Sequence, residues 1–275
     1  MTYPGGKNGS GVYQTIINRM PPHDVYIEPF LGGGAIMRLK LPARINIGLD
    51  LDADPLVRFG GARSTKSAAA GLAKKGVAGC HFEFIRGDAL EFLRGYRRFL
   101  GSELVYCDPP YMRETRGPRD LYRCEMTDSD HAELLRILKR LPCAVMISGY
   151  FTRLYAVELR AWHSTHYPTM TRGGSERIEW LWSNFPEPVA LHDYRYLGSD
   201  FRERERIKRK KNRWVNRIRR MPLLERRALL SAIEAAQLGS SIPAMGSAIG
   251  KNGESPADSG RLAIRVDGVL QQRRK

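Results

Sequence analysis

The residues with the plainest chemical use lie between 105 and 111, where the chain reads Val105-Tyr106-Cys107-Asp108-Pro109-Pro110-Tyr111. Two prolines directly after an apolar run remove two N–H donors, so the carbonyls there must face something other than a helix or a ladder. That directs Asp108 and the Pro109 carbonyl into a cavity at the carboxyl edge of a sheet, with Tyr111 beside them. Two acceptors and an aromatic face suit an exocyclic amine on a planar base; the plainer alternative is a chance loop. Three further stretches carry chemistry of a related kind. Glu28-Pro29-Phe30-Leu31-Gly32-Gly33-Gly34 stands between a strand and a helix, where glycines let the backbone approach a ligand and free the helix N-terminus to face it. Asp50, 16 residues beyond Gly34, ends the next strand and is placed to accept hydrogen bonds from ribose hydroxyls. Asp88, in Arg86-Gly87-Asp88-Ala89, is placed to cap a helix and to touch an adenine amino group. For each of the three the bland reading stays open: a tight turn without a ligand, a solvated strand-end acid, and a simple cap.

These residues need a scaffold that brings strand ends together. Val25–Ile27, Ile45–Leu49, Phe82–Ile85, Leu104–Cys107 and Ala144–Ile147 are short apolar runs with the length of strands buried on both faces. Helices are expected after Gly34, from about Leu90 to Phe99, and over Asp128–Leu141, where an N-cap and early acids precede leucines at helical spacing. The alternation implies an α/β fold with a doubly wound, mostly parallel sheet. About Ala161–Pro168 and Ile178–Ser183 would add a terminal antiparallel hairpin.

Taken together the residues resemble the adenine-N6 DNA methyltransferases of the Dam type, especially the short versions encoded by phages and prophages. Tyr3-Pro4-Gly5-Gly6-Lys7 is similar to their N-terminal cofactor motif, Glu28–Gly34 to their glycine motif, Asp50 to the ribose-binding acid, and Asp108–Tyr111 to the catalytic Asp-Pro-Pro-Tyr. The order of the motifs agrees as well. Ser148-Gly149-Tyr150 and Glu179-Trp180-Leu181-Trp182-Ser183-Asn184 look like family strands. The resemblance covers about residues 1–190. It implies the Rossmann-like fold of S-adenosylmethionine-dependent methyltransferases, and methyl transfer from S-adenosyl-L-methionine to the N6 amino group of adenine in double-stranded DNA. The base would be flipped out, with Tyr111 stacking on it, and no metal would be needed. By the same resemblance Asp108, Pro109, Pro110 and Tyr111 are catalytic. Tyr3, Lys7, Glu28, Pro29, Phe30, Gly32, Gly34, Asp50, Asp88, Ala89 and Asp108 form the cofactor site. One departure matters: larger Dam-type enzymes carry a helical target-recognition region between the ribose-binding acid and the catalytic motif, and only 57 residues separate Asp50 from Asp108 here. Specificity must come from elsewhere or be loose.

Charge points to the same partner. Forty-five Lys and Arg against 29 Asp and Glu give +16, and such an excess favours a polyanion. Residues 194–227 hold 14 of the bases and four of the acids, a net of +10, so a nearly balanced body is followed by a basic extension. The expected organisation is a catalytic domain over 1–193, a basic helical DNA-binding extension over 194–238, and a flexible linker and tail over 239–275. Arg209, Lys210, Lys211 and Arg213 are expected on phosphates, with Trp214, Val215 and Ile218 touching the body. Base or phosphate contacts are expected from Arg113 and Arg116 in one loop and Arg172 and Arg177 in another. The four cysteines show no metal spacing and no disulfide framework. The N-terminus lacks the apolar core of a signal peptide, and no apolar run approaches the ~20 residues of a membrane span. A cytoplasmic monomer or weak dimer is the expected state. Other readings are cytosine-N4 methylation, an RNA substrate, and a non-catalytic DNA-binding module with a degenerate fold. Asp rather than Ser before Pro-Pro-Tyr leans toward adenine by family habit. A dehydrogenase would leave Asp-Pro-Pro-Tyr and the basic segment unexplained.

Overall fold

A computed structural model describes residues 6–9, 11–57, 59, 79–116, 122–170 and 174–239. Tyr3, Arg172 and the expected linker beyond 239 lie outside them. Among the described residues seven strands form one sheet: β1 (Val25–Glu28), β2 (Ile45–Asp50), β3 (His81–Arg86), β4 (Glu103–Cys107), β5 (Ala144–Tyr150), β6 (His163–Met170) and β7 (Glu176–Ser183). Their order across the sheet is β3-β2-β1-β4-β5-β7-β6. The first five are parallel, and β7 runs antiparallel to both β5 and β6. The sheet is therefore doubly wound with a terminal antiparallel hairpin, the architecture expected.

Burial explains why these runs became strands. β1 and β4 are buried along their whole length, as parallel strands covered on both faces must be. The side chains of β1, β4 and β5 alternate between two cores with period two. Tyr26, Leu104, Tyr106 and Met146 enter one core, while Val25, Ile27, Val105, Cys107, Val145 and Ile147 enter the other. The covering helices include α1 (Val12–Ile17), α2 (Ala35–Leu39), α3 (Ala53–Val57), α4 (Ala89–Gly95), α5 (Asp128–Leu138) and α6 (Arg153–Glu158). α5 starts on a reciprocal cap: the Asp130 N–H donates to Thr127 Oγ1 (3.2 Å) and the Thr127 N–H donates to Asp130 Oδ2 (2.8 Å). It stops three residues earlier than expected. Arg140 and Leu141 instead bond to the carbonyls three residues back, a tightening that uses up the last orphan groups before Pro142.

The chain winds outward from β1 through β2 to β3, then returns past β1 to β4. That reversal makes the carboxyl ends of β1 and β4 a topological switch point, where such sheets open a crevice. The Glu28–Gly34 turn and the Asp108–Tyr111 loop leave the sheet from those two ends.

The chain divides into two compact units, Met1–Val215 and Asn216–Lys275. The body extends beyond the boundary expected at 193 because the next residues are tied down. Arg195 Nη2 donates to the Leu39 carbonyl (2.8 Å), the Tyr196 hydroxyl donates to the same carbonyl (3.1 Å), and Asn18 Nδ2 donates to the Tyr196 carbonyl (2.5 Å). Tyr196 also meets Tyr13 edge to face. The basic stretch then forms α7 (Phe201–Arg220) and, after Pro222, α8 (Leu223–Gly239). α7 has no buried residue. Trp214 and Val215 are 49% and 37% exposed, so neither side chain is part of the buried core. Among the described residues no helix is long and apolar enough to cross a membrane.

Candidate active site

A cavity of about 540 Å3 opens at the switch point. One wall is the turn after β1, from Glu28 to Gly34. The turn closes on itself through the Gly34 N–H to the Leu31 carbonyl (2.7 Å) and onto β2 through the Leu31 N–H to the Leu49 carbonyl (2.8 Å). Gly34 needs to be glycine twice over: its φ is +57°, and a Cβ would stand 2.2 Å from the Phe59 ring. Asp50, at the end of β2, fastens the turn from the side. Its Oδ2 accepts from the Gly32 N–H (2.7 Å) and its Oδ1 from the Asp52 N–H (2.9 Å). Burial raises its pKa, while these two donors favour the ionised form. Each oxygen keeps acceptor capacity, and Asp50 lines the cavity.

Asp88 and Ala89 form the next wall. Asp88 caps α4, accepting from the Glu91 N–H at 2.9 Å, so the bland reading and the cavity position hold together. Glu28 is buried on the cavity floor and bonded by the Tyr26 hydroxyl (3.0 Å). Burial pushes its pKa up to about 8 against that hydrogen bond. Pro29 and Phe30 complete this side.

The far wall is Asp108, Pro109 and Pro110. Asp108, its side chain 18% exposed, is held from behind. Lys7 Nζ donates to Asp108 Oδ1 (2.6 Å) and the Ser148 hydroxyl donates to the same oxygen (3.0 Å). Lys7 is 4% exposed and reaches Glu179 Oε1 as well (2.8 Å). Burial works against the ammonium, but the two carboxylates outweigh it and raise the Lys7 pKa. For Asp108 burial is the larger influence and raises its pKa, with Lys7 opposing.

Tyr111 stands elsewhere than expected. It is buried off the cavity wall, its hydroxyl donating to Glu179 Oε1 (2.6 Å) and accepting from Lys7 (2.5 Å). Its ring lies 4.6 Å from that of Tyr150. The β7 acid and the N-terminal lysine hold the phenol inward, so the ring is not part of the cavity wall. The aromatic residue on the wall near Asp108 is Tyr122, which the sequence reading missed. Its hydroxyl is hydrogen-bonded to the Tyr111 backbone. Glu179 was missed too, although an acid two residues before the inward-facing Leu181 on β7 is a signal, since both must share a face.

The arginines expected at nucleic acid divide. Arg116 is withdrawn from that role: its guanidinium, 5% exposed, is gripped by both oxygens of Glu125 and lies 5.2 Å from the Tyr122 ring centroid. It positions the Tyr122–Glu125 wall. Arg113 is exposed on a short 3-10 turn, Arg113–Thr115. Arg177, exposed on β7, donates to the Thr115 carbonyl (3.3 Å) and lies 5.7 Å from the Tyr150 ring centroid. Arg209, Lys210, Lys211 and Arg213 are exposed on α7.

No family model matches the chain, and no curated protein matches it. Among solved structures, precorrin 8W decarboxylase from Methanobacterium thermoautotrophicum is 12% identical over 66% of this chain and 94% of that one, with a TM-score of 0.40. A dimethyladenosine transferase from Plasmodium falciparum is 14% identical over 66% and 63%, with a TM-score of 0.40. Magnesium protoporphyrin IX methyltransferase from Synechocystis PCC 6803, solved with bound SAM, is 14% identical over 63% and 76%, with a TM-score of 0.38. Likenesses of this size decide no activity, and the sheet order and the cavity stand without them.

Proposed function

We propose that the chain transfers a methyl group from S-adenosylmethionine to the N6 amino group of adenine in DNA. The observation that carries this reading is one cavity walled by both the glycine turn with Asp50 and the Asp108-Pro109-Pro110 loop. Its volume falls in the ~300–1,000 Å3 range of small-molecule sites. The wall chemistry suits the cofactor: Asp50 for ribose hydroxyls, Asp88 for an adenine amino group, Phe30, Ala89 and Leu90 for the faces of the ring, and the acids Glu28 and Asp108 for its cationic groups, a bound cation favouring ionised Glu28 against the burial that raises its pKa. When bound, the cofactor supplies an electrophilic methyl group.

The chain's own residues then act on the acceptor. An adenine amino nitrogen is a poor nucleophile because its lone pair is conjugated into the ring. Accepting its hydrogens at Asp108 and at the Pro109 carbonyl favours a pyramidal nitrogen with an available lone pair. As the new bond forms, positive charge grows on the nitrogen, and the Asp108 carboxylate stabilises it in place. Lys7 and Ser148, both on Oδ1, fix that carboxylate, so the nitrogen meets the methyl group in line. The base must leave the helix to reach this wall, and the aromatic face it meets is that of Tyr122. α7 supplies a sequence-independent hold on phosphates through Arg209, Lys210, Lys211 and Arg213. Asp108→Ala tests the reading: DNA binding persists while methylation is lost. Methylation by this variant at wild-type rate would remove Asp108 from the mechanism.

A further inference from the structure

The site contains a second carboxylate that the reaction above does not use. Glu179 is buried on β7 behind Asp108, off the cavity wall, and Lys7 Nζ bridges the two at 2.6 and 2.8 Å. The groups facing it are Lys7 from the N-terminal segment, Asp108 and Tyr111 from the loop after β4, Tyr106 of β4, Tyr150 of β5 and Tyr167 of β6. The four tyrosines all hold their protons at neutral pH, since burial raises every one of their pKa values. Two carboxylates therefore share one ammonium, and the buried group carries an excess negative charge that a proton would neutralise.

Methyl transfer to an amine produces such a proton. As the nitrogen lone pair takes the methyl group and the sulfur keeps the electron pair of the broken bond, the nitrogen is left cationic with one proton too many. Asp108 is the acid that meets it. Resting on the methyl-transfer reading, we propose that Glu179 is the final acceptor of that proton within the protein. The proton passes from the nitrogen to Asp108; the Asp108 carboxyl gives it to Lys7 Nζ as Lys7 gives one of its own to Glu179 Oε1. Asp108 returns to a carboxylate and Lys7 to an ammonium, and Glu179 ends as a neutral carboxyl. The nitrogen thus loses its proton while the bound substrate still separates Asp108 from water. Glu179 touches no substrate; it is a positioning and proton-holding residue that acts through Asp108.

The test follows one turnover of the full chain with S-adenosylmethionine and unmethylated DNA, in weak buffer with a pH-indicator dye. Methylated product is measured by quenching in parallel. In the wild type, proton release to solution should lag behind methyl transfer. Glu179→Gln keeps a hydrogen-bonding partner for Tyr111 but cannot take the proton, so its lag should vanish. Its kcat at neutral pH should fall about tenfold, recovering as pH rises, while KM for the cofactor changes less than about threefold. Proton release coincident with methyl transfer in the wild type overturns the inference, whether or not the variant folds. So does a Glu179→Gln pH–rate profile that superimposes on that of the wild type. No methylated product from the wild type would instead sink the methyl-transfer reading itself.

Discussion

Replacing Lys7 by Met should make stability depend on pH in a direction the site dictates. Lys7 is the ammonium between Asp108 and Glu179, 2.6 and 2.8 Å from them. Two unit charges about 4 Å apart interact by ~4 kcal/mol at an effective dielectric constant of 20, and removing one partner of a buried pair typically costs ~3–5 kcal/mol. At ~2–4 °C per kcal/mol for a domain of this size, that is a drop of roughly 6–20 °C in Tm. The cost is not fixed, because a carboxylate stripped of its cation can take a proton instead. In the variant the folded-state pKa of that carboxyl lies above its unfolded value. Such a group contributes stability that is complete below the unfolded pKa and is lost as pH rises through the folded pKa. One extra bound proton recovers about 1.4 kcal/mol per pH unit, so going from pH 8 to pH 5 returns most of the deficit. Thermal unfolding of both proteins followed by circular dichroism, at pH 5 and pH 8, gives the comparison. The Tm difference should be large at pH 8 and within a few degrees at pH 5. A difference equal at both pH values, or larger at pH 5, would refute the claim that Lys7 is the counter-charge of these two carboxylates.

Three further outcomes are expected. Asp50→Ala unfastens Gly32 and removes the acceptor at the end of β2, so calorimetry should show S-adenosylmethionine binding weakened about 10–100-fold, at ~1.5–3 kcal/mol for hydrogen bonds to a charged group. Gly34→Ala meets both a left-handed backbone and the Phe59 ring; it should destabilise the fold by roughly 2–5 kcal/mol in urea unfolding. Replacing Arg209, Lys210, Lys211 and Arg213 together by Ala should lower the slope of log affinity for duplex DNA against log salt by about 3–4. An unchanged slope there would show that α7 does not lie on phosphates.

The sequence reading reached the strand ends more surely than what lies between them. Asp50, Asp88 and Asp108 were legible because each follows a short apolar run, and chain direction then places each at the same edge of the sheet; β3, before Asp88, is an outer strand buried on one face only, not on both as its composition suggested. Tyr111 was misjudged because its partners, Lys7 and Glu179, are 104 and 68 residues away, and no local pattern announces a phenol held inward. Arg116 was misjudged for a similar reason. A basic loop looks ready for phosphate until Glu125, nine residues on, closes both oxygens around it. The segment Tyr194–Tyr196 read as the start of the extension because the composition turns basic there. Its bonds to Leu39 belong to the body.

The central claim is the reaction and its target, and one measurement addresses both. Purified protein would be incubated with S-adenosylmethionine and unmethylated plasmid, and the DNA digested to nucleosides for mass spectrometry. N6-methyladenine, absent when Asp108→Ala replaces the wild type, is the predicted result. N4-methylcytosine would contradict the assignment of the base, and no methylated nucleoside in DNA would contradict the account of the site as a DNA methyltransferase.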